Sequence, residues 1–124
     1  MYEVEMYQKA NGKRPVEEYI KLLRDSNNTE ELERIRLFVG RLKDHGMNVN
    51  SVFPHTIRKE SPEGIWELRP AGSRVFFFHF TGKKFILLHA FKKQGQKAPP
   101  SEIDKAIKEM KEYRRRHKDE QQQL

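Results

Sequence analysis

The sequence predicts a single α+β domain: a small, mostly antiparallel sheet with two helices before it and one after, in the order β-α-α-β-β-β-α. Three observations lead there. The chain has 124 residues, the length of one domain. Residues 65–91 hold three short apolar runs, parted by turn signals at Pro70-Ala-Gly-Ser73 and Thr81-Gly-Lys-Lys84. Apolar residues recur at helical spacing on both sides of those runs.

Tyr2, Val4 and Met6 alternate, which predicts a first strand within Tyr2–Gln8, and Asn11-Gly12 marks a turn. Pro15 suits the first position of a helix whose apolar face is Val16, Tyr19, Ile20 and Leu23. Asn28-Thr-Glu-Glu31 reads as a capping box for a second helix. Its apolar face is Leu32, Ile35, Phe38, Val39 and Leu42, and Gly46 is its stop. The two helices make an antiparallel pair. Residues 47–64, with Pro54, Pro62 and Gly64, read as an irregular connection. Strands follow at 65–70, 73–81 and 84–91, then a basic loop over Lys92–Pro100. Ser101-Glu-Ile-Asp104 can cap a last helix that turns Ile103, Ala106, Ile107, Met110 and Tyr113 to one face. The domain spans 1–118, and the Gln-rich residues 119–124 are expected to fray.

Charged residues make up 35% of the chain and the net charge is +7. Between Arg58 and Lys97 there are nine Lys or Arg against three Glu. Such a concentration marks an anion-binding surface or serves solubility alone; nucleic acid is the commonest anionic partner. The absence of cysteine removes disulfides, thiolate catalysis and cysteine-ligated metals, and it fits a reducing cytoplasm. No apolar run approaches the roughly 20 residues of a membrane span. No charged start precedes an apolar stretch, so no secretory signal is expected. His45, His55 and His117 lack metal-ligand spacing, so no metal and no cofactor is expected.

Turn chemistry sets the strand register. Pairing Phe80 with Phe85 across the second turn places Arg74 opposite Phe91, beside Lys92, and Phe76 opposite His89. A tight turn at Ala71-Gly72 places Arg69 opposite Arg74 and Glu67 opposite Phe76. One face then carries Glu67, Arg69, Arg74, Phe76, Phe78, Leu87, His89 and Phe91. The other carries Trp66, Leu68, Val75, Phe77, Ile86, Leu88 and Ala90, with His79, and is the face expected under the helices. Facing arginines repel by up to ~1 kcal/mol, so either an anion lies between them or Arg69 bridges to Glu67. Glu67 is a general base or a salt-bridge partner. His89 is a base or a half-buried core histidine. His79 reads as structural. Phe76, Phe78 and Phe91 can stack bases, pack under the last helix or meet a partner protein. Arg114–Lys118 reads as a solvated helix end. With neither metal nor cofactor, Arg, Lys, Glu and His suffice to drive an RNA 2′-hydroxyl onto its adjacent phosphate.

The run Ile65-Trp-Glu-Leu-Arg-Pro, then Ser73-Arg-Val-Phe-Phe-Phe, Leu87-Leu-His-Ala-Phe-Lys-Lys-Gln and Lys97-Ala-Pro resembles the RelE/ParE superfamily of toxins. The likeness covers about residues 65–110 and is nearest to the HigB-like, often phage-derived branch. The resemblance implies a RelE-like fold and a ribosome-dependent endoribonuclease that cleaves mRNA and inhibits translation. It also implies neutralisation by a helix-turn-helix, HigA-like antitoxin. By position, Arg74 matches the central phosphate-binding arginine, and Arg69 with Lys92 or Lys93 matches the other basic positions. Lys93 would stabilise charge or protonate the leaving oxygen. Lys97, Arg58 and Lys59 are expected to contact RNA with Lys92. Glu67 falls where some members carry an acidic base and others a lysine. The lysine pair of RelE is absent around Ile65 and Glu67, and no tyrosine follows Lys92-Lys93. An inhibitor of DNA gyrase, as in ParE, is the alternative on the same fold.

Overall fold

Pro15 has no N–H to lose at a helix start, and the first helix, α1, runs Pro15–Asp25. The Asn28 side chain then accepts from the Glu31 N–H at 3.4 Å and opens α2, Thr29–His45. Half of the predicted capping box is therefore made. The Glu31 carboxylate reaches across to the sheet instead of back to Asn28. Gly46 stops α2 with φ at 61°. A 3-10 turn over Gly46–Asn48 and a single-turn helix, α3 (Val49–Val52), follow. The computed structural model describes residues 1–122.

Among the described residues, five strands form one sheet: β1 (Glu3–Met6), β2 (Ile57–Lys59), β3 (Trp66–Leu68), β4 (Ser73–Thr81) and β5 (Lys84–Lys92), in the spatial order β1-β5-β4-β3-β2. Only β1, which lies parallel to β5, departs from antiparallel pairing. The fold is thus the α+β class that the sequence predicts, with one strand added. The sequence reads 47–64 as irregular, yet β2 forms inside it. Asn50 makes this possible. Its Oδ1 accepts from the N–H groups of Thr56 and Ile57, each at 3.0 Å, and its Nδ2 donates to the Ile57 carbonyl at 2.9 Å.

The β3–β4 register is the expected one, with Glu67 opposite Phe76. Between β4 and β5 the expected register holds from Ser73 to Phe76 and then slips by one. Phe77 pairs with Leu87 and His79 with Phe85, so the predicted Phe80–Phe85 pair does not form. The slip is a bulge that sets Leu88 and His89 against one partner residue. Both side chains turn toward α4 (Pro100–Arg116), the last long helix.

Helices cover both faces. Val75, Phe77, Phe85 and Leu87 pack against Val16 and Leu42 of the first two helices. Phe76, Phe78, Phe80, Ile86 and Leu88 pack under Ala106, Met110 and Tyr113 of α4. This corrects the expectation of a single covered face, and it puts Phe76 and Phe78 in the core and out of reach of bases. A strand as apolar on both sides as Val75–Phe78 must be buried on both sides. Truncating one such phenylalanine would cost about 3–5 kcal/mol. α4 starts at Pro100, one residue before the predicted Ser101 cap, and no side chain caps it. A short α5 (Lys118–Gln122) follows, with Glu120 2.6 Å from Lys84, where fraying is predicted. Residues 123 and 124 of the predicted tail lie outside the described residues. Among the described residues, no helix is long and apolar enough to cross a membrane.

Two glycines of α2 and its end should respond oppositely to alanine. A Cβ on Gly46 would lie 2.4 Å from the Tyr2 ring and at positive φ, while one on Gly40 meets nothing within 4 Å. Urea unfolding should show Gly46→Ala destabilising by at least about 1–2 kcal/mol. Gly40→Ala should stabilise by up to about 1 kcal/mol. Equal effects would contradict this account of the helix end.

Candidate functional site

β3 is only three residues long, but it lies between β2 and β4 and so has a neighbour on each side. Its middle residue, Glu67, pairs with Arg58 across one ladder and with Phe76 across the other. Side chains of paired residues share a face, so Arg58 and Glu67 meet. Arg69, two residues on, returns to that face, and Arg74 enters it from the start of β4. The Glu67 Oε1 lies 3.2 Å from Arg69 Nε, 3.5 Å from Arg74 Nε and 3.8 Å from Arg58 Nη2. Glu67 is 1% exposed. Glu67 Oε1 and Arg69 Nε are both buried without a hydrogen bond, so charge alone holds them. The predicted repulsion between Arg69 and Arg74 is thus relieved from inside the protein, by the carboxylate.

Each arginine has a second anchor or remains at the surface. Arg58 Nε pairs with Glu60 Oε2 at 2.7 Å. Arg74 Nη1 donates to the carbonyls of Ser73, Ala71 and Pro70, at 2.7, 3.2 and 3.4 Å. Arg69 stays partly exposed. The segment after β5 closes over this cluster. The Lys93 N–H donates to the Gly72 carbonyl at 2.9 Å, and Arg58 Nη2 donates to that of Gln96 at 3.3 Å. Between segment and sheet lies a depression of about 10 Å³ bordered by Glu67, Arg74, Phe91, Lys93 and Lys97. That is room for one water molecule.

Burial shifts these groups in opposite senses. It pushes the Glu67 carboxyl above the usual carboxylate range, helped by Glu60 and opposed by Arg74, Arg58 and Arg69. It pulls Arg74 below its ordinary value, against the attraction of Glu67. The bond to Glu60 raises Arg58.

The structure therefore gathers Arg58, Glu67, Arg69, Arg74, Lys93 and Lys97 out of the residues that the sequence nominates. Three others stand apart. Lys59 follows Arg58 in the strand and so faces the opposite side. Lys92 likewise alternates away from Phe91 and is exposed, which leaves Lys93 as the lysine of the site. His89 is 2% exposed under α4, with Nδ1 2.6 Å from Glu109 Oε1 and Nε2 3.4 Å from Glu102 Oε1. The rings of Phe76 and Phe91 lie against it. It is a core histidine, the second of the two readings that the sequence leaves open, and it stands apart from the arginine cluster. Among the described residues, no group of three or more His, Asp or Glu could hold a metal ion. Sequence reasoning missed Glu60 and Glu31. The spacing Arg58-x-Glu60 is a usable signal for the first, since alternate residues of an extended chain share a side.

A family model for phage-derived, Gp49-like proteins (DUF891) matches residues 18–111. The chain belongs to this family. The match takes in the whole sheet except β1, and with it every residue of the arginine cluster and its depression. In this Gp49-like chain the cationic cluster is thus part of the family's domain and no appendage to it. No curated protein matches the chain.

The raised Glu67 affinity for a proton has a consequence for stability. The folded protein holds that proton at a pH where the unfolded chain has released it. Stability should fall as pH rises from the ordinary carboxylate range through the folded-state value. Urea unfolding across pH 4–8 should show this slope, and Glu67→Gln should flatten it. A Glu67→Gln slope equal to that of the wild type would contradict the assignment.

Proposed function

We propose that the protein is the toxin of a toxin–antitoxin pair, in the HigB-like branch of the RelE superfamily. In this reading it is a metal-independent, ribosome-dependent endoribonuclease that cuts mRNA and inhibits translation in the cytoplasm. The observation that carries the reading is the set of guanidiniums aimed around Glu67, with Lys93 and Lys97 at the mouth of the depression. Membership in the phage-derived family is compatible with a toxin. A helix-turn-helix, HigA-like antitoxin is the partner expected.

The reaction is attack of an RNA 2′-hydroxyl on the adjacent phosphorus. The new bond closes a 2′,3′-cyclic phosphate, and the bond to the 5′ oxygen breaks. Arg74 and Arg69 hold the non-bridging oxygens as negative charge gathers on them. Glu67, which borders the depression and holds a proton more tightly than an ordinary carboxylate, takes the 2′-hydroxyl proton. Lys93 gives a proton to the leaving oxygen. Lys97 and Arg58 contact flanking phosphates. A depression with room for one water cannot enclose a phosphate, so the substrate engages at its mouth or displaces the segment bearing Lys93 and Lys97.

One observation favours a second reading. Glu67 Oε1 is already shared among three guanidiniums, so proton transfer needs rearrangement, whereas binding alone does not. A non-enzymatic inhibitor of DNA gyrase, as in ParE, fits that state. Incubation with translating ribosomes and mapping of mRNA ends separates the two. New codon-phased ends are expected, reduced about 10²–10³-fold by Arg74→Ala and unchanged by Lys59→Ala. Intact message with blocked supercoiling would favour the second reading. Equal cutting by Arg74→Ala would overturn the first.

A further inference from the structure

The four-residue turn Pro70–Ser73 is held from two sides. On the site side, Arg74 Nη1 bonds to three of its carbonyls, and the Lys93 N–H bonds to the fourth, that of Gly72. On the other side the helical pair reaches in. Glu31, in the first turn of α2, accepts from the Gly72 N–H at 3.3 Å through Oε1 and from the Ser73 hydroxyl through Oε2. The Tyr19 hydroxyl of α1 lies 2.7 Å from the same Ser73 Oγ. Ser73 is fully buried. All four carbonyls of this turn, the Gly72 N–H and the Ser73 hydroxyl thus have partners, and the guanidinium of Arg74 is bonded to the turn itself.

The residue types fit that task. A carboxylate offers acceptors to two converging donors at once, where an amide would offer one oxygen and turn a donor toward the Gly72 N–H or the serine hydroxyl. Gly72 has an ordinary negative φ, so its backbone does not require glycine. A Cβ there would stand 3.3 Å from Glu31 Oε2, and the missing side chain is what lets the carboxylate close on the turn. Glu31 also occupies the place in α2 where a capping box would fold it back on its own helix. It spends its charge across the molecule instead.

We propose that Glu31 is a positioning residue for Arg74, acting from the opposite side of the sheet through the Gly72–Ser73 turn, with Tyr19 as its support. The helical pair is then part of the machinery that aims the anion site. This inference rests on the reading of Arg74 as the phosphate-binding arginine.

The test is a double-mutant cycle in the full chain, read in two ways: the Arg74 Nε–Hε resonance, and cleavage of mRNA on translating ribosomes. Glu31→Ala should move the Arg74 resonance while the amide signals of α4 stay in place. It should lower cleavage tenfold to hundredfold, the range a misplacement near 1 Å produces, and add nothing in an Arg74→Ala background. Glu31→Gln, with one acceptor left, should fall between wild type and Glu31→Ala. Should Glu31→Ala fail to fold, Tyr19→Phe removes one bond to Ser73 and should move the Arg74 resonance in the same direction. An unmoved resonance in the folded variants would overturn the proposal, as would an equal Glu31→Ala effect with and without Arg74. If the wild type cuts no message, the endoribonuclease reading fails, and the resonance alone decides the role of Glu31.

Discussion

A carboxylate buried under three guanidinium groups is the constraint from which the rest of the site follows. An unpaired buried charge costs several kcal/mol, so Glu67 at 1% exposure demands cations within reach. Supplying them dictates the local architecture. β2 must pair with β3 to bring Arg58, and the strand must continue past Leu68 to return Arg69 to the same face. The next turn must be tight enough to deliver Arg74 from the other direction. The cations are therefore positioned by folding, before any ligand arrives. That is the condition under which fixed charges stabilise a developing anion without reorganisation at the moment of reaction. Around the depression Lys93 and Lys97 join the arginines, and Glu67 and Glu60 oppose them.

The second organising fact is that the central strands are apolar on both sides. Phe76, Phe77 and Phe78 are consecutive and all fully buried, which only a layer of helix on each face can achieve. α4 takes the face that carries the site and leaves only its far end, near Arg74 and Phe91, open to the surface. The same helix accounts for His89. Opposite Phe76 it faces α4, where Glu102 and Glu109, two turns apart, lie against it. A histidine so held links helix to sheet and is sealed from solvent.

Much of this was legible in the residues. Pro15, Asn28 and Gly46 punctuate α1 and α2 because each acts through local backbone chemistry, which needs no tertiary context. The Ala71-Gly72 turn was enough to put Glu67, Arg69 and Arg74 on one face, because a two-residue turn leaves little freedom of register. What stayed hidden depends on distant partners. β2 is too short to show alternation and is made by Asn50, whose amide pins Thr56 and Ile57. The slip after Phe76 has no local mark, since Leu87 and Leu88 are alike and either can occupy the inner position. The covering of the second face was foreshadowed by the strands themselves, whose alternation gives two apolar sides. Glu31 was readable as a cap and was drawn off by Gly72 and Ser73, forty residues away in the chain.

The buried carboxylate that fixes three arginines, and the two lysines beside the resulting depression, carry our proposal that this Gp49-like protein grips a phosphate on RNA. The most direct measurement is a titration of the labelled protein with a short RNA whose 2′-hydroxyls are methylated to block cleavage, followed by amide and arginine side-chain resonances. Saturable shifts at Arg74 Nε, Lys93, Lys97 and Gly72 are the predicted result. Shifts confined to Lys83, Lys84 or Arg114–Arg116, or none at all, would contradict it.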